Sequence, residues 1–166
     1  MKRRASLLAA FASATALLAL AAFAAITKAE PASGVIPTLL ARGTYDAFKV
    51  RSDQEGPIDL KIQAKTPLDV VVRRHDYAPG SSTGWHRHPG PVLITVTQGT
   101  LTYYLYDDPS CTPHTVSAGQ GFVDDGRGHV VRNETDQPAQ DMSVITAPVG
   151  GPFRSERDAP NPSCGF

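Results

Sequence analysis

The chain predicts an all-β fold, a sandwich or barrel of antiparallel strands. Short runs rich in β-branched and aromatic residues recur along it, and turn clusters (APGSSTG, HPGP, QGT, DDPS, AGQG, DDGRG, ETDQPA) separate them at a near-regular rhythm. Beyond the N-terminal segment hardly any stretch carries a helical apolar period, and the rhythm is not that of a βα repeat.

Taken in order, the first element is an export signal. Lys2, Arg3 and Arg4 precede an uncharged Ala/Leu-rich run from Ala5 to Thr27, and small residues allow cleavage after Ala29 or after Ala24. An uncleaved N-terminal anchor is the alternative, since the run is long enough to cross a bilayer, although alanine makes it weakly lipophilic. The basic start suits both Sec and twin-arginine export. Removing residues 1–29 takes away four basic residues and no acidic one, leaving 12 basic against 16 acidic residues. That negative balance argues against a nucleic-acid partner, and no stable membrane insertion is expected once the signal is gone. The remaining 137 residues suit one secreted or cell-envelope domain.

Residues 30–43 (EPASGVIPTLLARG) read as a tether, 44–150 as the domain and 151–166 as a C-terminal tail. The expected strands are Tyr45 to Arg51, Ile58 to Ala64, Val70 to Tyr77, Val92 to Gln98, Leu101 to Tyr106, Val130 to Asn133 and Met142 to Ala147. Alternation assigns their faces: Val92, Ile94 and Val96 share one side, Thr95 and Thr97 the other, while His129, Val131 and Asn133 lie together. Exposed strand edges offer a route to a homodimer.

Cys111 and Cys164 are the two cysteines, both among turn residues. In an oxidising compartment such a pair reads as a disulfide that ties the tail back, closing a loop worth roughly 4 kcal/mol. Two independent thiols or a redox pair are the alternatives, but the spacing is not that of a redox dithiol.

The chemistry-bearing pattern is His86-x-His88 with a distant His129. Residues i and i+2 of a strand project to one face, so His86 and His88 present two imidazoles together, and a third strand-borne histidine can close a metal cluster. Gly80, five residues, His86, one residue, His88 and then Gly99 match the first motif of the cupin superfamily; Gly126, two residues, His129, three residues and Asn133 match the end of the second. Residues 40 to 166 further resemble small secreted cupin-domain proteins of bacteria.

The resemblance implies a double-stranded β-helix (jelly-roll) cupin barrel with a metal or ligand site at its mouth. Carried over position by position, it yields His86, His88 and His129 as ligands of one divalent ion: iron, manganese, zinc, nickel or copper. Two departures stand out. Val92 occupies the place of the family's usual glutamate ligand, and Asp124 stands where proline is usual. Three neutral imidazoles leave the ion's charge uncompensated, which favours hydroxide or an anionic, chelating molecule.

Other residues carry two readings each. Asp124 and Asp125 are either a substitute carboxylate or turn caps; Tyr103 is either a cavity wall or core; Asn133 either positions a ligand or ends a strand. His75 and His114 read as exposed or edge residues, and Trp85 as facing away from the ligands. Two functions follow. One is a metal-dependent oxygenase or isomerase acting on a small oxygen-rich molecule; the alternative is a non-catalytic module that binds a small molecule or a metal.

Overall fold

The computed structural model describes residues 31–52, 55–159 and 164–166. The expected signal and cleavage sites lie outside these residues. All regular elements among them are strands: β1 (Ser33–Tyr45), β2 (Phe48–Arg51), β3 (Lys61–Ala64), β4 (Leu68–Ser82), β5 (His86–Arg87), β6 (Val92–Gln98), β7 (Thr100–Leu105), β8 (His114–Ser117), β9 (Gly121–Asp124), β10 (His129–Arg132), β11 (Ala139–Ala147) and β12 (Ser155–Glu156).

Two layers face each other, as in a jelly roll. One runs β1–β4–β11–β6–β9, all antiparallel. The other runs β12–β5–β10–β7–β8, and the end of β4 joins it where Ser82 pairs with Arg132. A separate ribbon is formed by β2 and β3.

Strand parity builds the interior. Val71 of β4, Val92 and Ile94 of β6, and Ile145 and Ala147 of β11 form one buried cluster; Tyr77, Val96, Leu101, Val131 and Ala139 form a second. Each fully buried aliphatic side chain of this kind contributes roughly 1.5–3 kcal/mol. A third cluster lies on the opposite side of β10, because Val130 points away from its neighbours His129 and Val131. There Trp85 stacks on Phe166 at 6.2 Å, Tyr104 meets the same ring at 5.0 Å, and the Cys111–Cys164 disulfide closes the edge. The tail is thereby the outer cover of the second layer.

Two expectations need correction. Residues 33–43 are no tether: they form most of β1, which pairs along nearly the whole of β4 from Ser33↔Ser82 to Tyr45↔Leu68. An edge strand with nearly all its residues exposed has no inward face to impose alternation, and it tolerates Pro37. Tyr45 to Arg51 is also not one strand, since β1 ends at Tyr45 and a new strand starts at Phe48.

Asn133 is a structural bracket rather than a cavity residue. Fully buried, it donates from Nδ2 to the carbonyls of Ala78 (3.1 Å) and Gln137 (2.7 Å), while Oδ1 accepts from the backbone and hydroxyl of Thr135. Its backbone pairs with Gly80 and Ser81, holding the end of β10 against β4. Replacement Asn133→Ala strands several buried partners and is expected to lower unfolding stability by about 2–4 kcal/mol. Urea unfolding followed by tryptophan fluorescence measures this.

Candidate metal centre

His86 and His129 are register partners across β5 and β10. What permits this closeness is the turn before β10. Gly126 has φ +93° and Gly128 φ +124°; a Cβ on either would sit 3.0 Å from the carbonyl oxygen of His88 or His86 respectively. The motif glycines therefore let one backbone lie directly on the His-x-His segment, in a conformation that L side chains avoid.

The three imidazoles converge. Their ring centroids are 4.4 Å apart for His86 and His129, 5.0 Å for His86 and His88, and 5.6 Å for His88 and His129. All three residues are buried, and each offers a nitrogen within 4.8 Å of the others. Among the described residues this is the only group of three or more such side chains so arranged.

The other side of each ring is held. His86 Nδ1 lies 2.9 Å from the carbonyl of Gly84, and His88 Nδ1 lies 2.6 Å from the carbonyl of Phe153. A carbonyl only accepts, so both Nδ1 atoms carry the proton and both Nε2 atoms keep a lone pair. His129 Nδ1 is 3.3 Å from Asp124 Oδ1 but out of line, and it and Asp124 Oδ2 are left without a hydrogen-bond partner. Burial first, then the neighbouring His129, Arg154 and His88, holds His86 well below the ordinary histidine pKa. His88 is pushed down to about 4, again by burial first and His129 second. Burial pushes the Asp124 carboxyl up, but His129 and His88 more than offset it and leave it below its ordinary value. His86 and His88 are thereby neutral and desolvated, which is the state that donates to a metal.

Val92 is 1 % exposed and lines the same cavity; its partner across the β6–β9 ladder is Asp124. Asp124 thus stands behind His129 and does not join the converging nitrogens. Asp125 caps the turn through the backbone and guanidinium of Arg127. Tyr103 does not reach the cavity, because its ring stacks between Phe122 (3.9 Å) and His114 (4.9 Å) against the core. Trp85 faces the outer cover, donating from Nε1 to the carbonyl of Phe166.

Beyond the histidines the cavity, of about 20 Å³, is walled by Arg73, His75, Tyr77, Asp141, Ser143 and Arg154 among others. His75, read as an exposed or edge residue, instead turns inward: its Nδ1 is 2.8 Å from Asp141 Oδ1, while Tyr77 donates to Asp141 Oδ2 at 2.7 Å. Strand parity carried the signal, since Val71, Arg73, His75 and Tyr77 share one face of β4. Arg154 and Phe153 come from the tail, which β12 straps over β5 through Ser155↔Arg87 and Glu156↔His86.

A family model described as "Cupin domain" matches residues 73–145. A rice (Oryza sativa subsp. japonica) germin-like protein 5-1 is 33 % identical over 94 residues, 55 % of this chain and 42 % of that protein, so the chain spans less than half of that relative's length. Among solved structures, a Klebsiella pneumoniae protein with a double-stranded β-helix domain is 24 % identical, covering 52 % of this chain and 72 % of that one at a TM-score of 0.44. A recombinant oxalate oxidase in complex with glycolate is also 24 % identical, covering 52 % and 45 % at a TM-score of 0.44.

The depressed histidines have a consequence for the metal-free protein. Unfolded, His88 takes its proton near pH 6.5; folded, it resists until about pH 4. Between those values the unfolded chain binds more protons, so stability is present above about pH 6.5 and is lost as pH falls toward 4, by up to about 3 kcal/mol from His88 alone. Urea midpoints of chelator-treated protein from pH 7.5 to 4 should fall accordingly, and His88→Asn should flatten the curve.

Proposed function

We propose that this chain, whose residues 73–145 match a cupin-domain model, is an exported cupin protein whose His86, His88 and His129 hold one divalent metal ion with positions open to a small oxygen-rich molecule. The observation that carries this reading is the fixed proton on Nδ1 of His86 and His88, which leaves the opposite nitrogens of these two buried rings free as donors beside the buried His129. Imidazole ligation suits iron, manganese, zinc, nickel and copper; such an ion supplies Lewis-acid polarisation and, where it is redox-active, oxygenase chemistry.

The chain's own residues do the rest. Gly84 and Phe153 orient two imidazoles through their carbonyls, Asp124 faces the third, and Val92, Ile94 and Ile145 keep the wall apolar and dry. With valine in place of an acidic ligand, the ion's charge is left for the bound molecule to neutralise. An oxygenase or isomerase is the activity this arrangement favours. Non-catalytic binding is favoured by one observation, the small size of the cavity, which as folded accommodates an ion or a water rather than a large substrate. The Cys111–Cys164 disulfide fits an oxidising compartment and supports export.

Protein purified without a polyhistidine tag from metal-replete medium is expected to carry close to one transition-metal ion per chain, and the His86→Ala/His129→Ala variant none, by elemental analysis. Folded wild-type protein without metal overturns the proposal. Oxygen uptake over a panel of diketones, catechols and thiols, with product analysis for isomers, then separates catalyst from binder. The Val92→Glu variant should be less stable than wild type without metal, because it buries an unpaired carboxylate, and should gain more from added metal than wild type does. Thermal melts with and without the ion measure both effects.

A further inference from the structure

Asp124 is a carboxylate kept where carboxylates are costly. It is 2 % exposed, and the β6–β9 register sets it directly across from Val92, so the two side chains share the inward face of that ladder. Its Oδ2 has no hydrogen-bond partner, nor has Nδ1 of His129, although Oδ1 stands only 3.3 Å from that nitrogen. Two complementary groups are thus buried side by side with the bond between them unmade. A turn cap needs no such burial, and Asp125 already fills that role by accepting from the backbone of Arg127.

An ion in the cavity alters what this pair contributes. Nδ1 of His86 and Nδ1 of His88 are each held by a carbonyl, whereas the group that Nδ1 of His129 faces is Asp124. With Nε2 given to a metal, the ring of His129 carries its proton on Nδ1 as a stronger donor, and a turn of the ring aligns it with Oδ1. The carboxylate then offsets one unit of the ion's charge through the ring. Elsewhere on the wall the sign is opposite: Arg73 and Arg154 are positive, and Asp141 is engaged by His75, Tyr77 and Ser143.

We propose that Asp124 is a positioning residue for the metal centre, which accepts a hydrogen bond from Nδ1 of His129 when an ion is bound, directs Nε2 to that ion and supplies the negative charge that Val92 lacks. This rests on the reading of His86, His88 and His129 as ligands of one divalent metal. It accounts for a buried carboxylate kept without a partner, because the penalty of burying it in the metal-free protein is offset on loading.

The test uses the full chain, metal-free and loaded with zinc, with zinc affinity read by competition against a chromophoric chelator. Asp124→Asn, equal in size but neutral, should bind zinc about 10- to 100-fold more weakly than wild type. Its metal-free form should nevertheless melt no lower than metal-free wild type, since a desolvated charge has been removed. Asp124→Ala, which also loses the acceptor, should bind zinc more weakly still. In unmutated protein labelled with nitrogen-15, zinc loading should give His129 a slowly exchanging proton on Nδ1, a readout that survives if a variant fails to fold. Wild-type zinc affinity in both variants, a metal-free Asp124→Asn protein that melts well below wild type, or zinc-loaded His129 protonated on Nε2 each overturns the proposal. These three results leave the metal reading standing, whereas wild type that takes up no ion overturns that reading and this proposal with it.

Discussion

The site depends on a close approach of two backbones. The turn carrying Gly126 and Gly128 lies against the carbonyls of His88 and His86, so that His129 enters β10 directly opposite His86. Every later property of the cavity follows from that contact. Burial that excludes water, together with the closeness of the imidazoles, keeps His86 and His88 neutral where free histidines would begin to charge. Three converging imidazoles, two of them locked by carbonyls behind them, form a preorganised pocket for a cation.

Around that contact the charge has been rearranged rather than removed. Val92 takes a buried place beside the imidazoles, while its cross-strand neighbour Asp124 stands behind His129. The carboxylate adds negative potential behind that ring without filling a coordination position. On the opposite wall Arg73 and Arg154 bring positive charge, and Asp141 is absorbed by its own hydrogen bonds.

The fold class and the histidine cluster were legible in the sequence because both rest on strand periodicity and turn chemistry, which are local. Val92 to Gln98 matches β6 for the same reason: one face is buried and the alternation is clean. β1 was not legible, since an edge strand exposed along nearly all its length loses that alternation. His75 shared the inward parity of Val71 and Tyr77, yet polar residues in a strand ordinarily mark its outer face, so its side was misjudged. The setting of Asp124 depends on the β6–β9 register, and Arg154 reaches the cavity through a two-residue pairing of β12 with β5. Neither relation leaves a trace in local sequence.

The strap formed by residues 153–156 has a bearing on assembly order. It lies after every long strand in the chain, yet it supplies the carbonyl that orients His88 and the arginine that closes one wall. The two layers can form before it docks, but the pocket cannot. A chain cut or misrouted near its tail would keep its barrel and lose its site, so the covalent tie from Cys111 to Cys164 guards competence as much as stability.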